Sequence, residues 1–354
     1  MRNAEAGAVT LVTGGTGLIG GEVVVEIARQ GRPVRALVRG ATDAEARRRL
    51  FARLEKSRAY RREFQRLIEP VTGDTTQPML GASADRLHDI GTIIHCAANT
   101  QFSERENASV WNTNVTGARN LVAFTQAMSP NARLVFVSTA SVVTAPSGTI
   151  LREDAPFVGH TNTYVRSKRE AEGIVQASRL DAVILRPSIV LSRGVDDRAM
   201  ARSILWAVPI MAEVGDLPVE PDAHIDIVPV DHVANVIMLM ATKRSLRHRV
   251  YHVSAGSGAH TFAELTAAMA RENPELRRIH PIGRHVNVSS RTRERLLRPL
   301  GSYLPFINAD VRYSTERLAE EIECAAEAPN SLSYVPDLVS QITLREAEDE
   351  MCRP

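Results

Sequence analysis

The sequence predicts an α/β protein built on a doubly wound parallel sheet, with a smaller, discontinuous and mostly helical lobe attached. Three observations carry that prediction. An apolar strand at 9–12 runs straight into Thr13-Gly14-Gly15-Thr16-Gly17-Leu18-Ile19-Gly20 and then into helical spacing over 18–30. Short apolar runs and amphipathic segments alternate at the rhythm of βαβ units as far as residue 187. Beyond that point the rhythm breaks, and the chain turns mixed and then polar-helical.

Each element has a local reason. After the first strand and helix, a second strand at 32–39 ends on Arg39. A basic helix follows, where Arg47, Arg48, Arg49, Arg53, Lys56, Arg58, Arg61, Arg62 and Arg66 crowd one stretch. Such a run is either a solvated face or a docking patch for something acidic. A third strand at 67–71 is closed by Gly73 and Asp74. The fourth, 92–96, is nearly all apolar, as a parallel strand covered on both faces requires. It leads into Ala97, Ala98 and Asn99, and His95 within it reads as a buried, satisfied histidine rather than a catalytic one. A long helix over 111–128 contains Asn114, and a fifth strand at 134–138 ends in Thr139. A helix opening at Thr161 carries Tyr164 and Lys168, and a sixth strand at 182–186 is stopped by Pro187. An apolar helix is expected at 204–213; the segment 225–230 and the helix from Asp231 return to the sheet, and 249–253 forms a further strand. The resulting assignment is a Rossmann-type domain from residues 1–187 with 223–255, and a substrate-binding lobe from 188–222 with 256–354.

Composition narrows the class. Hydrophobic residues make up 44% of the 354 and charged residues 24%, the balance of a soluble globular enzyme. No apolar run reaches the length of a transmembrane helix, and residues 1–7 lack the apolar core of a secretory signal. Cys96, Cys324 and Cys352 are too few and too scattered for a disulfide framework or a metal site. A net charge of +2 does not favour nucleic acid as a partner. A cytoplasmic protein is expected.

The glycine turn points to a dinucleotide. A turn that releases a helix N-terminus beside a strand end gathers unpaired N–H groups and the positive helix pole at one point, which suits a pyrophosphate. Gly14 serves the turn, Gly17 the approach of backbone to phosphate and Gly20 the packing of helix on strand, at a Gly-x-x-Gly-x-x-Gly spacing. Arg39 at the second strand end, with no carboxylate before Asp43, suits the 2′-phosphate of NADP(H) rather than the ribose of NAD. Asp74, followed by Thr75, either bonds the adenine amino group or caps its turn. The small residues Ala97, Ala98 and Asn99 let backbone lie against the cofactor. Tyr164 and Lys168, four apart, share a helix face, where an ammonium favours phenolate and brings the phenol toward its working range. The lysine also reaches the nicotinamide ribose, and Thr139 at its strand end can hold a substrate carbonyl.

With those residues in place the chain resembles an extended short-chain dehydrogenase/reductase over roughly 9–253. Residues 13–20 are similar to that class's cofactor turn, and Thr139, Tyr164 and Lys168 to its catalytic triad. Pro187, Ser188 and Ile189 complete the cofactor contacts the resemblance implies. Asn114 matches a helix asparagine that supports a proton relay in the class; the alternative is a purely structural bond to backbone. The phrases His95-Cys96-Ala97-Ala98-Asn99-Thr100-Gln101-Phe102, Val137-Ser138-Thr139-Ala140-Ser141-Val142 and Asp226-Ile227-Val228-Pro229-Val230-Asp231-His232-Val233-Ala234-Asn235 resemble the fatty acyl-CoA reductase and thioester reductase branch. Leu304-Pro305-Phe306 and Asp310-Val311-Arg312-Tyr313-Ser314-Thr315 match it more loosely.

The resemblance implies NADPH-dependent reduction of an acyl thioester, on coenzyme A or a carrier protein, to aldehyde or alcohol. The alternative is a dehydrogenase or ketoreductase of a secondary alcohol or ketone. A nucleotide-sugar enzyme shares the fold, but no clear basic cradle follows Pro187; intact Thr139, Tyr164 and Lys168 argue against a mere cofactor sensor. Trp206, Val208, Ile210 and Met211 are candidate acyl lining, with a plain core helix as the alternative. A homodimer through the helices of Trp111 and Thr161 follows from resemblance alone.

Overall fold

Seven parallel strands form the central sheet of the computed structural model, which describes residues 9–102, 106–143, 148–156, 162–192, 204–284, 297 and 300–339. They are β1 (Val9–Thr13), β2 (Val34–Val38), β3 (Ile68–Thr72), β4 (Ile90–His95), β5 (Arg133–Val137), β6 (Ala182–Pro187) and β7 (Val250–Val253). Their order is β7-β6-β5-β4-β1-β2-β3, so the winding reverses between β1 and β4. That reversal opens a crevice at the C-terminal strand ends, where Thr13 and His95 are register partners.

Alternation along the strands builds two cores from one sheet. Val12, Ile94, Val135 and Leu185 face α1 (Leu18–Arg29), while Leu11, Ile93, Leu134 and Phe136 face the opposite side. Helices α3 (Asn107–Trp111), α4 (Gly117–Met128) and α5 (Thr163–Ala177) follow β4 and β5, and α4 and α5 cover the second face through Leu121, Phe124, Ala171 and Val175. A separate core belongs to the lobe, from α6 (Ala207–Val214), α8 (Phe262–Glu272) and a last short helix, Val335–Val339.

Several expectations change. The basic stretch is helical only over α2 (Asp43–Leu54), whose cap Thr42 accepts from the Glu45 N–H; a 3-10 turn follows at Arg62–Leu67. The helix expected over 111–128 begins at Asn107 and is interrupted by a π-helical turn, Asn112–Thr116. The expected start at Thr161 lies outside the described residues; α5 begins at Thr163, with the Asn162 side chain accepting from the Val165 N–H at 2.9 Å.

Segment 225–230 does not rejoin the sheet. His224–Ile225 pairs with His260–Thr261, and Ile227–Pro229 with Ile189–Leu191. Its alternating side chains serve two cores: Ile225 and Ile227 enter the lobe, and Val228 the sheet. Helix α7 (Val230–Thr242) then packs on α1 as expected of a sheet helix. The boundary assigned at 256–354 is also crossed. Helix α10 (Glu316–Ile322), which follows α9 (Leu304–Ile307), places Leu318 in the sheet core, and Tyr251 donates to Glu321 at 2.8 Å. Among the described residues no helix is long and apolar enough to cross a membrane.

Candidate active site

The turn after β1 is fixed by what a side chain would strike. Gly14 has φ +74°, and a Cβ there would lie 2.6 Å from the Ala97 nitrogen. A Cβ on Gly20 would collide with the Gly14 carbonyl, so α1 can approach the strand end only with glycine at that position. Gly17, the N-cap of α1, is exposed and carries no side-chain cap, leaving the helix N–H groups directed outward. Thr13 ties β1 to β4 beneath them: its hydroxyl meets His95 Nδ1 at 2.8 Å and accepts from the Ala97 N–H at 3.4 Å. Burial, with Lys168 adding to it, drives His95 down to about 3, so it is neutral and structural. Burial likewise pushes the Cys96 thiol up to about 12, leaving it unreactive.

Two arginines mark the end of β2. Arg39 is exposed there, and Arg49 from α2 donates to its carbonyl at 2.6 Å. Arg53 does something the sequence did not reveal. It turns inward and donates to the carbonyls of Gly17 and Leu18 at 3.1 and 3.0 Å while pairing with Glu22 at 3.2 Å. A Cβ on Gly21 would lie 3.0 Å from its guanidinium carbon, which explains a glycine that the cofactor pattern does not require. Asp74 caps its own turn, accepting from the Thr76 N–H and hydroxyl, both at 2.9 Å. Thr75 is buried beneath α4, with its carbonyl accepting from Asn120 at 2.9 Å.

The three residues of the proposed triad converge at the end of β5. Thr139 caps the short turn after the strand, and its hydroxyl accepts from the Ser141 N–H at 3.3 Å and shares a hydrogen bond with Tyr164. Lys168 Nζ donates to the Val137 carbonyl at 2.8 Å and lies 4.7 Å from the Phe136 ring centroid. Burial lowers its ammonium to about 8, against the opposing charge of Glu172 one turn on. Tyr164 goes the other way from the sequence expectation: burial raises it to about 12, with the Thr139 bond only partly offsetting that. Glu172 is itself gripped by Arg186, whose Nε and Nη2 donate to its two oxygens at 2.9 and 2.7 Å.

Asn114 sits in the π-helical turn and is fully engaged. Its Oδ1 accepts from the Asn99 N–H at 2.8 Å, and its Nδ2 donates to the Asn99 carbonyl at 3.0 Å and Ser167 at 2.9 Å. These bonds favour the structural reading, since they hold the loop after β4 against α5. Pro187 ends β6; Ser188 and Ile189 beyond it line a cavity that also takes in Phe102, Ser141, Tyr303 and Phe306. Of the expected acyl lining, Val208, Ile210 and Met211 are instead lobe core. Trp206 reaches the cavity wall only by packing edge-on against Tyr303, with centroids 5.4 Å apart.

A family model described as Male sterility protein matches residues 12–237. The chain is 27% identical to the NRPS-like oxidoreductase fscA of Fusarium equiseti over 220 residues, 58% of this chain and 20% of that protein. It is 25% identical to the putative fatty acyl-CoA reductase CG8303 of Drosophila melanogaster over 297 residues, 69% of this chain and 54% of that protein. The chain therefore spans between a fifth and about half of the length of these curated relatives. In fold it is similar to the terminal R domain from the myxalamid PKS-NRPS biosynthetic pathway, with a TM-score of 0.77, 23% identity, and 97% of this chain and 92% of that one covered.

Proposed function

Since the chain belongs to the NAD-binding Male sterility protein family, within the extended short-chain dehydrogenase/reductase type, we propose that it reduces an acyl thioester to an aldehyde with NADPH. The observation that carries this reading is the convergence of Thr139, Tyr164 and Lys168 at one strand end, between the glycine turn and a cavity in the lobe. The glycine cradle, which a Cβ would fill at Gly14 and Gly20, and the uncapped start of α1 fit a dinucleotide. Residues 13–20 would hold its pyrophosphate, Arg39 its 2′-phosphate and Lys168 its nicotinamide ribose. When bound, it supplies the hydride for the carbonyl carbon.

The chain's own residues supply the rest. A phenol near 12 is fully protonated at neutral pH, the form required to give a proton to an oxyanion. The Thr139 hydroxyl holds that oxygen as charge develops, in a site dry enough for the contact to count. The buried Lys168 ammonium lends its field to the same corner. Loss of thiol from the resulting hemithioacetal leaves the aldehyde. The thiol carrier is coenzyme A or a carrier protein. Incubation with an acyl-CoA and NADPH should release one free thiol for each NADPH consumed. Brisk turnover of ketones or secondary alcohols with no thiol released from any thioester would replace this reading with that of a ketoreductase.

A further inference from the structure

The cavity beside Tyr164 has a volume of about 140 Å³; four rings, Phe102, Tyr303, Phe306 and Tyr313, share its wall with aliphatic side chains and with the polar Ser141, Ser188, His224 and Asp226. The rings are already arranged for stacking. Phe102 lies parallel to Tyr303, with centroids 4.6 Å apart and planes 11° apart, and against Tyr164 at 5.5 Å and 27°. Phe306 meets Phe102 at 5.3 Å. Trp206 backs Tyr303 edge-on, and Val311 and Tyr313 lie on a strand paired with Thr149–Leu151, so the wall is braced from behind.

Resting on the thioester reductase reading, we propose that this cavity selects a compact acyl group carrying a planar aromatic ring rather than a long alkyl chain. Size is the first reason. An apolar cavity of roughly 150 Å³ holds a single benzene ring, so this one has room for a ring but not for the whole tail of a long fatty acyl group. Shape is the second. Ring pairs at 4.5–7 Å, edge-to-face as well as offset, gain beyond the apolar area they bury, and with Phe102 stacked by Tyr303 and Tyr164 an incoming ring would meet Phe102 at its edge, a contact an alkyl chain does not reproduce. Position is the third. Phe102 touches both the cavity and the Tyr164 ring, and Ser141, which also lines the cavity, bonds the Thr139 hydroxyl through its N–H. A ring seated there would have its carbonyl on the side of Phe102 and Ser141, the two wall residues in contact with Tyr164 and Thr139.

The test uses CoA thioesters, nonanoyl matching the two aryl ones in carbon number, with NADPH in excess. Cinnamoyl and 3-phenylpropanoyl thioesters should show kcat/KM at least tenfold above nonanoyl, and palmitoyl should be poorer still. Phe306→Leu and Phe306→Ala, which widen the cavity by different amounts, should narrow the preference progressively. Having two variants keeps the test open if the larger truncation fails to fold. If nonanoyl or palmitoyl is reduced as well as the aryl thioesters, the aromatic selection is wrong while the thioester reductase reading stands. If no thioester is reduced, that reading falls, and the cavity is judged by calorimetric titration of the same CoA thioesters: tenfold tighter binding of 3-phenylpropanoyl than nonanoyl supports it, and equal binding overturns it.

Discussion

A tyrosine raised by burial and a lysine lowered by it make opposite demands on pH. Tyr164, near 12, keeps its proton throughout the usable range, whereas Lys168, lowered from 10.5 to about 8, is cationic below that value and neutral above it. If the ammonium is the form that works, kcat/KM should be level below pH 8 and fall as pH rises through it, as a pH–rate profile would show. Tyr164→Phe preserves the ring that stacks on Phe102 and removes only the hydroxyl. Turnover should fall by about 10²–10⁴ while NADPH still binds. Arg39→Ala would remove the charge-assisted contact proposed to the 2′-phosphate, worth roughly 1.5–3 kcal/mol, so the NADPH Kd should rise about ten- to a hundredfold with NADH unmoved; calorimetry would detect either departure. The positions of all three were legible, because Tyr164 and Lys168 share one helix, Arg39 ends one strand, and the glycine turn and Thr139 frame them. The raised phenol was not legible, because burial is a property of the packed site and the sequence showed only the neighbouring ammonium.

At the scale of elements, α1 is held between a strand end that admits only glycine and an arginine that arrives from the next helix. Gly20→Ala drives a methyl group into the Gly14 carbonyl and must displace the turn. The N–H groups would then no longer converge, and NADPH affinity should fall more than tenfold in a chain that still folds, as circular dichroism beside a binding titration would report. Arg53→Met removes the donors to Gly17 and Leu18 and leaves Glu22 without its guanidinium. A stability loss of roughly 1–3 kcal/mol is expected in urea unfolding. The glycines announced the turn because their function is local. Arg53 stayed hidden because it is one of nine basic residues in a stretch that reads as a solvated face, and its inward turn depends on α2 crossing α1. The sole hint was Gly21, a glycine beyond the cofactor pattern. The cavity was hidden for a related reason: Phe102 and Tyr303 are two hundred residues apart in sequence and stack only after the lobe closes on the sheet.

For the whole molecule, two histidines buried in the sheet couple the fold to acid. His95 and His252 are both held at about 3, His252 by burial first and then by Arg186. Their unfolded values lie near 6.5, so below that pH the unfolded chain takes up protons that the folded chain refuses. The stability that depends on these two histidines is therefore complete above about pH 6.5 and declines as pH falls from there toward 3. Asp226, raised by burial to about 6, takes up its proton in the folded chain first and opposes this decline; with two histidines against one carboxylate the urea midpoint should still drop between pH 7 and 5, and His252→Phe should flatten the decline. The alternation of strands and helices made the sheet legible, since each apolar run is complete in itself. The division into lobes was less so, because Ile227–Pro229 sends neighbouring side chains to two cores and Glu316–Ile322, far along the chain, brings Leu318 back to the core of the sheet. What joins these scales is the claim that hydride and proton meet at a thioester carbonyl above β5. The most direct measurement is the mass of the product formed from an acyl thioester and NADPH deuterated at both C4 positions of the nicotinamide. An aldehyde carrying one deuterium on its carbonyl carbon, formed by the unmodified protein and at least about a hundredfold more slowly by Tyr164→Phe, is the predicted result; unlabelled aldehyde, or label appearing only in a secondary alcohol made from a ketone, would contradict it.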